Sequence, residues 1–300
     1  MPTTRGDGRV ELHYVDSGPR NAEAVILIHG LGQQLVQWDV IGLTNRLLES
    51  GRRVVAYDQR DCGLSMRFET AELPSFSELQ GRLERGQPVS LPYGLEDMVD
   101  DVFCVMDACG VESGTVVGHS LGGVVAALAA LSRPDRFEGL VIISASLEKT
   151  ERLGPRPPGR MAVIEEVCTP QYMPEFTFES VSWLQWVQSS PTFPMPGDVA
   201  ARAARSMMER GYDAAGNLRN LAAFIASDVT AERLAELEVD TVVIHGSEDP
   251  LLPLNYSEDL VAKIPGAELR VYHGAGHNMT PAQVPELVAD ILSLSEGIAN

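Results

Sequence analysis

TVVGHSLGGVVAALAA, residues 115–130, carries two kinds of pattern joined at one point. Thr115 to His119 is a short β-branched run, suited to a buried strand, and Leu121 to Ser132 has the composition of a helix. Between them stands Gly118-His119-Ser120-Leu121-Gly122, a G-x-S-x-G sequence with a strand before it and a helix after it. A serine on so tight a turn needs small neighbours two residues away on either side, because side chains there would collide. The turn lifts its hydroxyl above the sheet and aims the first amides of the helix at the same spot.

Working outward, the same alternation recurs. Val10 to Val15 alternates apolar and polar residues and predicts an early edge strand. Ala24 to His29 is continuously apolar, as expected of a strand buried on both faces. A helix is predicted from Val36 to Ser50, a strand from Arg53 to Asp58, a helix from Leu95 to Cys109 and a strand from Gly139 to Ala145. The rhythm then stops. From Ser146 to Glu236 a Pro/Gly-rich entry (Gly154 to Arg160) leads into helical stretches rich in Trp, Phe and Met. Strands resume at Thr241 to Gly246 and Glu268 to His273, and a last helix covers Val284 to Ser295. These elements predict an α/β fold with a mostly parallel central sheet flanked by helices. The domain reading is a core of residues 1–145 and 237–300 interrupted by a helical lid at 146–236.

A serine hydroxyl is a weak nucleophile at neutral pH and needs a base. Two downstream strands deliver the partners. Thr241 to Gly246 runs into Ser247-Glu248-Asp249-Pro250, and Glu268 to His273 runs into Gly274-Ala275-Gly276-His277. Both loops fall at the carboxyl edge of the sheet, where open α/β sheets build their sites. Ser120 is therefore the expected nucleophile, His277 the base and Asp249 the acid. Glu248 competes with Asp249, which the stiffening Pro250 favours. His245 and His273 lie within or at the end of strands and are expected to be structural. His119 should point to the opposite side of the chain from the serine. His29-Gly30-Leu31-Gly32 brings backbone close to the site, so the Leu31 and Leu121 amides are the expected oxyanion donors. Trp38, Trp183 and Trp186 are expected to line a substrate pocket.

LIHGLG (27–32), YDQRDCGLS (57–65), VVGHSLGG (116–123), HGSEDPLLP (245–253) and GAGHNM (274–279) together resemble the α/β-hydrolase family, in the family's order. GLGQQLVQWD (30–39) with YDQRDCGLS resembles a bacterial esterase subgroup that includes aclacinomycin methylesterase-type enzymes. The resemblance implies hydrolysis of a carboxylic ester through an acyl-enzyme. It implies a loop-bracing role for Asp58, Arg60 and Asp61. Family members that form alkyl-enzymes carry Asp where this chain has Ser120. Perhydrolysis of the haloperoxidase kind, a tailoring step on a natural product, and ligand binding without turnover are the alternatives on the same residues.

The 300 residues carry 42 acidic and 23 basic side chains, a net charge of −19. Such a charge opposes binding to nucleic acids and anionic membranes, and favours a small, largely apolar substrate over a polyanion. Four cysteines without metal-type spacing predict free thiols in a reducing compartment. The N-terminal stretch has no apolar signal-like core, and no run of ~20 apolar residues could span a membrane. A cytoplasmic protein needing neither metal nor organic cofactor is the expectation.

Overall fold

The computed structural model describes residues 3–6, 10–68, 73–75, 78–79, 81–82, 85–147, 181, 188–227 and 229–296. Eight strands form one sheet in the order β1-β2-β4-β3-β5-β6-β7-β8. They are β1 (Thr3–Gly6), β2 (Val10–Ser17), β3 (Ala24–Ile28), β4 (Arg53–Tyr57), β5 (Gly114–His119), β6 (Phe137–Ile143), β7 (Thr241–Gly246) and β8 (Glu268–Tyr272). β1–β2 and β2–β4 pair antiparallel, and every later pair is parallel. The α/β architecture predicted from the alternating pattern is thus the one observed.

Burial on both faces explains why the central strands read as unbroken apolar runs. Ile26, Val116 and Ile142 pack on one side of the sheet with α3 (Leu95–Cys109) and α4 (Leu121–Ser132). Leu27, Val117 and Ile143 pack on the other with α1 (Val36–Ile41), α2 (Leu43–Glu49) and the C-terminal α8 (Val284–Glu296). Between β6 and β7 the described residues contain α5 (Gly197–Glu209), α6 (Ala214–Ala226) and a 3₁₀ segment at Ala231–Glu236.

Four expectations about individual elements need correction. The helix predicted over 36–50 is two helices, because Gly42 takes a left-handed conformation (φ 90°) and restarts the chain in a new direction. Val10–Ser17 is not the edge strand; Thr3–Gly6 pairs outside it. β6 begins and ends two residues before the predicted bounds, since Ser144 leaves the extended region at φ 48°. A helix not foreseen, α7 (Asn255–Lys263), links β7 to β8.

The loop after β4 is held by buried arginine forks. Arg60 donates two bonds of 2.7 Å to Asp101 on α3 and one of 2.8 Å to the Asp97 carbonyl. Asp61, itself at φ 65°, accepts both prongs of Arg219 from α6 at 2.8 Å, and the Tyr93 hydroxyl at 2.6 Å. Asp58 accepts from Arg210, just past α5, and from the Leu35 and Leu64 amides at 3.0 Å. Asp58 and Asp61 therefore tie the inserted helices to the sheet, and Arg60 ties the same loop to α3.

Three parallel strands carry a buried histidine at or just past their carboxyl ends: His29 after β3, His119 closing β5 and His245 in β7. Burial lowers the pKa of all three, that of His119 from 6.5 to about 3, with the nearby His277 charge adding to the effect.

Two outcomes follow from these packed charges. Arg60→Ala breaks the buried ion pair with Asp101, both side chains 2% exposed, and should cost about 3–5 kcal/mol in urea unfolding. A histidine whose folded pKa lies below its unfolded one binds more protons when unfolded. The stability these three contribute is thus present above about pH 6.5 and lost as the pH falls through their lowered folded values, about 3 for His119. Unfolding midpoints should decline through that window, and His119→Gln should flatten part of the decline.

Candidate active site

Ser120 sits at the junction of β5 and α4 with φ 52° and ψ −118°, a conformation side chains rarely adopt. Its amide donates to the Ile143 carbonyl at 2.8 Å, which holds the turn to the adjoining strand. The flanking glycines are required by contact. A Cβ on Gly118 would lie 2.2 Å from the Gly122 carbonyl oxygen, and one on Gly122 would lie 2.3 Å from the Ile28 oxygen. The Gly123 and Val124 amides bond back to the Ser120 carbonyl, at 2.9 and 3.2 Å. Those of Leu121 and Gly122 precede these bonds, in the part of a helix where N–H groups have no intrahelical partner.

The loop after β3 approaches from the side. Gly30 lies so close to the elbow that an added Cβ would stand 3.2 Å from Ser120 Cβ and 2.9 Å from His119 Nδ1. Gly32 turns the chain at φ 71°, and the Gln33 amide closes the turn on the Gly30 carbonyl at 3.2 Å. Leu31 stands at the tip of that turn, next to Gly30.

Asp249 and His277 meet across the ends of β7 and β8. His277 Nδ1 donates to Asp249 Oδ2 at 2.8 Å, and Asp249 Oδ1 accepts the Leu251 and Leu252 amides at 2.7 and 2.8 Å. Burial alone would raise the Asp249 carboxyl. The His277 charge and hydrogen bond, with His245 and the Leu252 amide, outweigh it and hold the group below its ordinary range. The neighbouring Glu248 is exposed and accepts instead from Thr192 Oγ1 at 2.9 and 3.0 Å. Of the two adjacent acids, Asp249 is therefore the one on the imidazole.

His119 links the serine turn to the histidine loop. Its Nε2 donates to the His277 carbonyl at 2.9 Å, and the two rings stand 4.9 Å apart. Its Nδ1 faces Gln33 Oε1 at 3.2 Å, and that oxygen accepts the Gly30 amide at 3.1 Å. Gln33 Nε2 donates to Asn278 Oδ1 at 2.9 Å. Gln33 and Asn278 were not singled out from the sequence. Their only signal was adjacency to the glycine turn and to His277.

The segment re-entering from the insertion is built into the same loop. The Gln188 carbonyl accepts both the His277 and the Asn278 amides at 2.9 Å, and Ser190 Oγ donates to the Gly274 carbonyl. Gly276 packs so tightly here that a Cβ would lie 2.6 Å from the Ser189 carbonyl carbon and 2.7 Å from the Ser190 nitrogen.

Trp38 is 3% exposed, packed on α1 against the sheet, where it borders a recess with Gln33, Gln37, His119 and Asn278. Trp183 and Trp186 lie outside the described residues. Cys62, Cys104 and Cys109 are free thiols, as expected. Among the described residues no group of three or more His, Cys, Asp or Glu could hold a metal ion, and no helix is long and apolar enough to cross a membrane.

The chain is similar to proteins of several activities. RutD of Variovorax paradoxus, a candidate carbamate hydrolase, is 28% identical over 282 residues, covering 91% of this chain and 92% of that protein. A non-heme chloroperoxidase of Burkholderia pyrrocinia is 25% identical, covering 98% and 99%. The solved structure of an esterase from Exiguobacterium antarcticum superposes with a TM-score of 0.75 at 19% identity, covering 97% of each chain, a likeness of fold. The family profile described as the alpha/beta hydrolase fold matches residues 23–280. The chain belongs to the alpha/beta hydrolase family.

Proposed function

We propose that this hydrolase cleaves carboxylic esters of a medium-sized, largely apolar small molecule through an acyl-enzyme on Ser120. The observation that carries this reading is the union of a serine held at positive φ on a strand-to-helix turn with a buried Asp249–His277 pair at the same sheet edge. In the reaction, His277 takes the Ser120 proton through Nε2 as the hydroxyl oxygen attacks the ester carbonyl. Asp249, already bonded to Nδ1, keeps that tautomer and stabilises the imidazolium. The Leu31 and Leu121 amides stabilise the oxyanion, each worth on the order of 3 kcal/mol in such sites. His277 then protonates the departing alcohol, and a water activated by the same imidazole releases the acid.

In this reading residues 146–236 form a helical lid over the carboxyl edge. The anchoring of Arg210 and Arg219 on Asp58 and Asp61, in the loop just past the carboxyl end of β4, supports it. Trp38, Trp183 and Trp186 are assigned to the walls of the substrate cavity. The net charge of −19 favours a neutral substrate over a polyanion. The aclacinomycin methylesterase-type resemblance directs attention to methyl esters of large apolar acids.

Two relatives favour specific competitors on the same residues. RutD points to carbamates, whose carbonyl the same serine can attack, and the chloroperoxidase points to perhydrolysis, in which peroxide replaces water in resolving the acyl-enzyme. A screen of methyl and short-chain esters against matched carbamates, with peracid formation followed in acetate and peroxide, ranks the three. Ester turnover should lead; a clear preference for carbamate or peroxide overturns the substrate assignment and leaves the serine mechanism standing.

Fluorophosphonate labelling with mass spectrometry should modify Ser120, and His277→Ala should abolish the reaction. Ser120→Ala should lower ester turnover by on the order of 10⁵-fold without unfolding the chain. Retained activity in that variant, or binding of esters without turnover in the parent, would falsify the mechanism. Gly276→Ala forces the histidine loop away from residues 188–190. It should lower kcat by about 10²-fold while changing KM far less, as expected of an ångström-scale misplacement.

A further inference from the structure

A second buried imidazole stands against the Asp249 carboxylate. His245, in β7, has a fully buried side chain whose Nε2 lies 2.9 Å from the Leu252 carbonyl oxygen and 3.6 Å from Asp249 Oδ2. Its Nδ1 lies 2.7 Å from the hydroxyl of Ser257, a buried residue of α7. A carbonyl and a carboxylate only accept, so a neutral ring must carry its proton on Nε2, and Ser257 must donate to Nδ1. Burial, the largest influence, favours the neutral form and outweighs the opposing pull of Asp249. The charged and titratable groups facing the ring are Asp249, His277 and Glu258.

The consequence concerns the acid. Asp249 Oδ1 is held by the Leu251 and Leu252 amides, and the Leu252 carbonyl is held in turn by His245. Oδ2, which receives the His277 proton donor, also faces the His245 N–H. At 3.6 Å this is too long for a hydrogen bond, but it lies at close electrostatic range between two fully buried side chains. We propose that His245, fixed as its Nε2–H tautomer by the Leu252 carbonyl and braced at Nδ1 by Ser257, is a positioning residue for Asp249 and so for the orientation of His277. The inference rests on the triad reading above. It distinguishes His245 from an ordinary core histidine, whose loss would lower stability without selectively slowing the chemical step.

The test follows Ser120 labelling by a fluorophosphonate as a function of probe concentration, which separates the limiting rate from probe affinity. A parallel proton NMR spectrum reads the downfield His277 Nδ1–H resonance. His245→Leu should slow the limiting rate about tenfold, less than the roughly 10²-fold that a full ångström of misplacement costs. Half-saturation should stay unchanged and the downfield resonance should move. His245→Gln, which can return an N–H to the Nε2 position, should restore the rate to within about threefold. Ser257→Ala removes the hydroxyl that braces the ring at Nδ1, and should fall between the two with a shifted resonance.

Wild-type labelling rate and resonance in folded His245→Leu would overturn the proposal, as would a slowed rate that Gln does not rescue. If the leucine variant does not fold, Ser257→Ala decides: parent-like rate and resonance overturn the proposal, and a slowed rate with a moved resonance supports it. Failure of the parent protein to label at Ser120 would instead remove the triad reading, and this inference with it.

Discussion

The structure depends on one close approach of backbone to backbone. Gly118 and Gly122 let α4 leave β5 so sharply that the helix start touches Gly118 and presses against the Ile28 and His29 carbonyls at the end of β3. No side chain fits at either contact. This packing strains Ser120 into positive φ and sets the Gly30 turn beside it. It also places the helix's first amides and the Gly30-Leu31-Gly32 loop on one side of the serine. The cost of the strained residue is carried by the central β3–β5–β6 ladder, whose strands are buried on both faces.

Around that elbow the structure uses charge where a smaller core would use hydrocarbon. Arg53 pairs with Asp16, Arg60 with Asp101, Arg210 with Asp58 and Arg219 with Asp61. Arg53, Arg60 and Arg219 donate through two nitrogens to one carboxylate, a fork that lysine cannot supply. Lys149 and Lys263 are the only lysines in the chain, an arginine bias among its basic residues. The buried forks give it a structural use. Replacing a carboxylate or its arginine singly strands a charge, so the loop after β4 tolerates little change even though none of its residues touches Ser120 or His277 in the hydrogen-bond network described above.

What could be read from the sequence was what local geometry dictates. The central strands followed from apolar runs that must be buried on both faces, and the elbow from glycines whose absence of a side chain is itself the constraint. Asp249 and His277 followed from their place just beyond two strands, and the structure brings them to 2.8 Å. Partners set by tertiary contact were not legible. Nothing in the string ties Gln33 to Asn278, 245 residues away, or Gln188 to the amides of His277 and Asn278. Gly42 broke a helix whose apolar period runs through it, because a single left-handed residue redirects the chain without altering the pattern on either side. Trp38 was read for its nearness in sequence to the glycine turn. It packs against the sheet and borders the same recess as Gln33, His119 and Asn278.

The histidines show how one residue type takes opposite tasks at one sheet edge. His29, His119 and His245 are held neutral by burial, and in each ring one nitrogen is assigned as the N–H by a backbone carbonyl that can only accept. His29 Nδ1 donates to the Gly30 carbonyl while its Nε2 accepts the Gln59 amide at 3.1 Å; His119 Nε2 donates to the His277 carbonyl. A ring fixed in this way acts as an oriented dipole and cannot readily exchange a proton. His277 differs in that its Nδ1 meets a carboxylate where the others meet a carbonyl. In the proposed mechanism the distinction between structural and reactive histidine therefore lies in the partner of one nitrogen. That partner is supplied by Asp249, and the amides of Leu251 and Leu252 keep the aspartate in place.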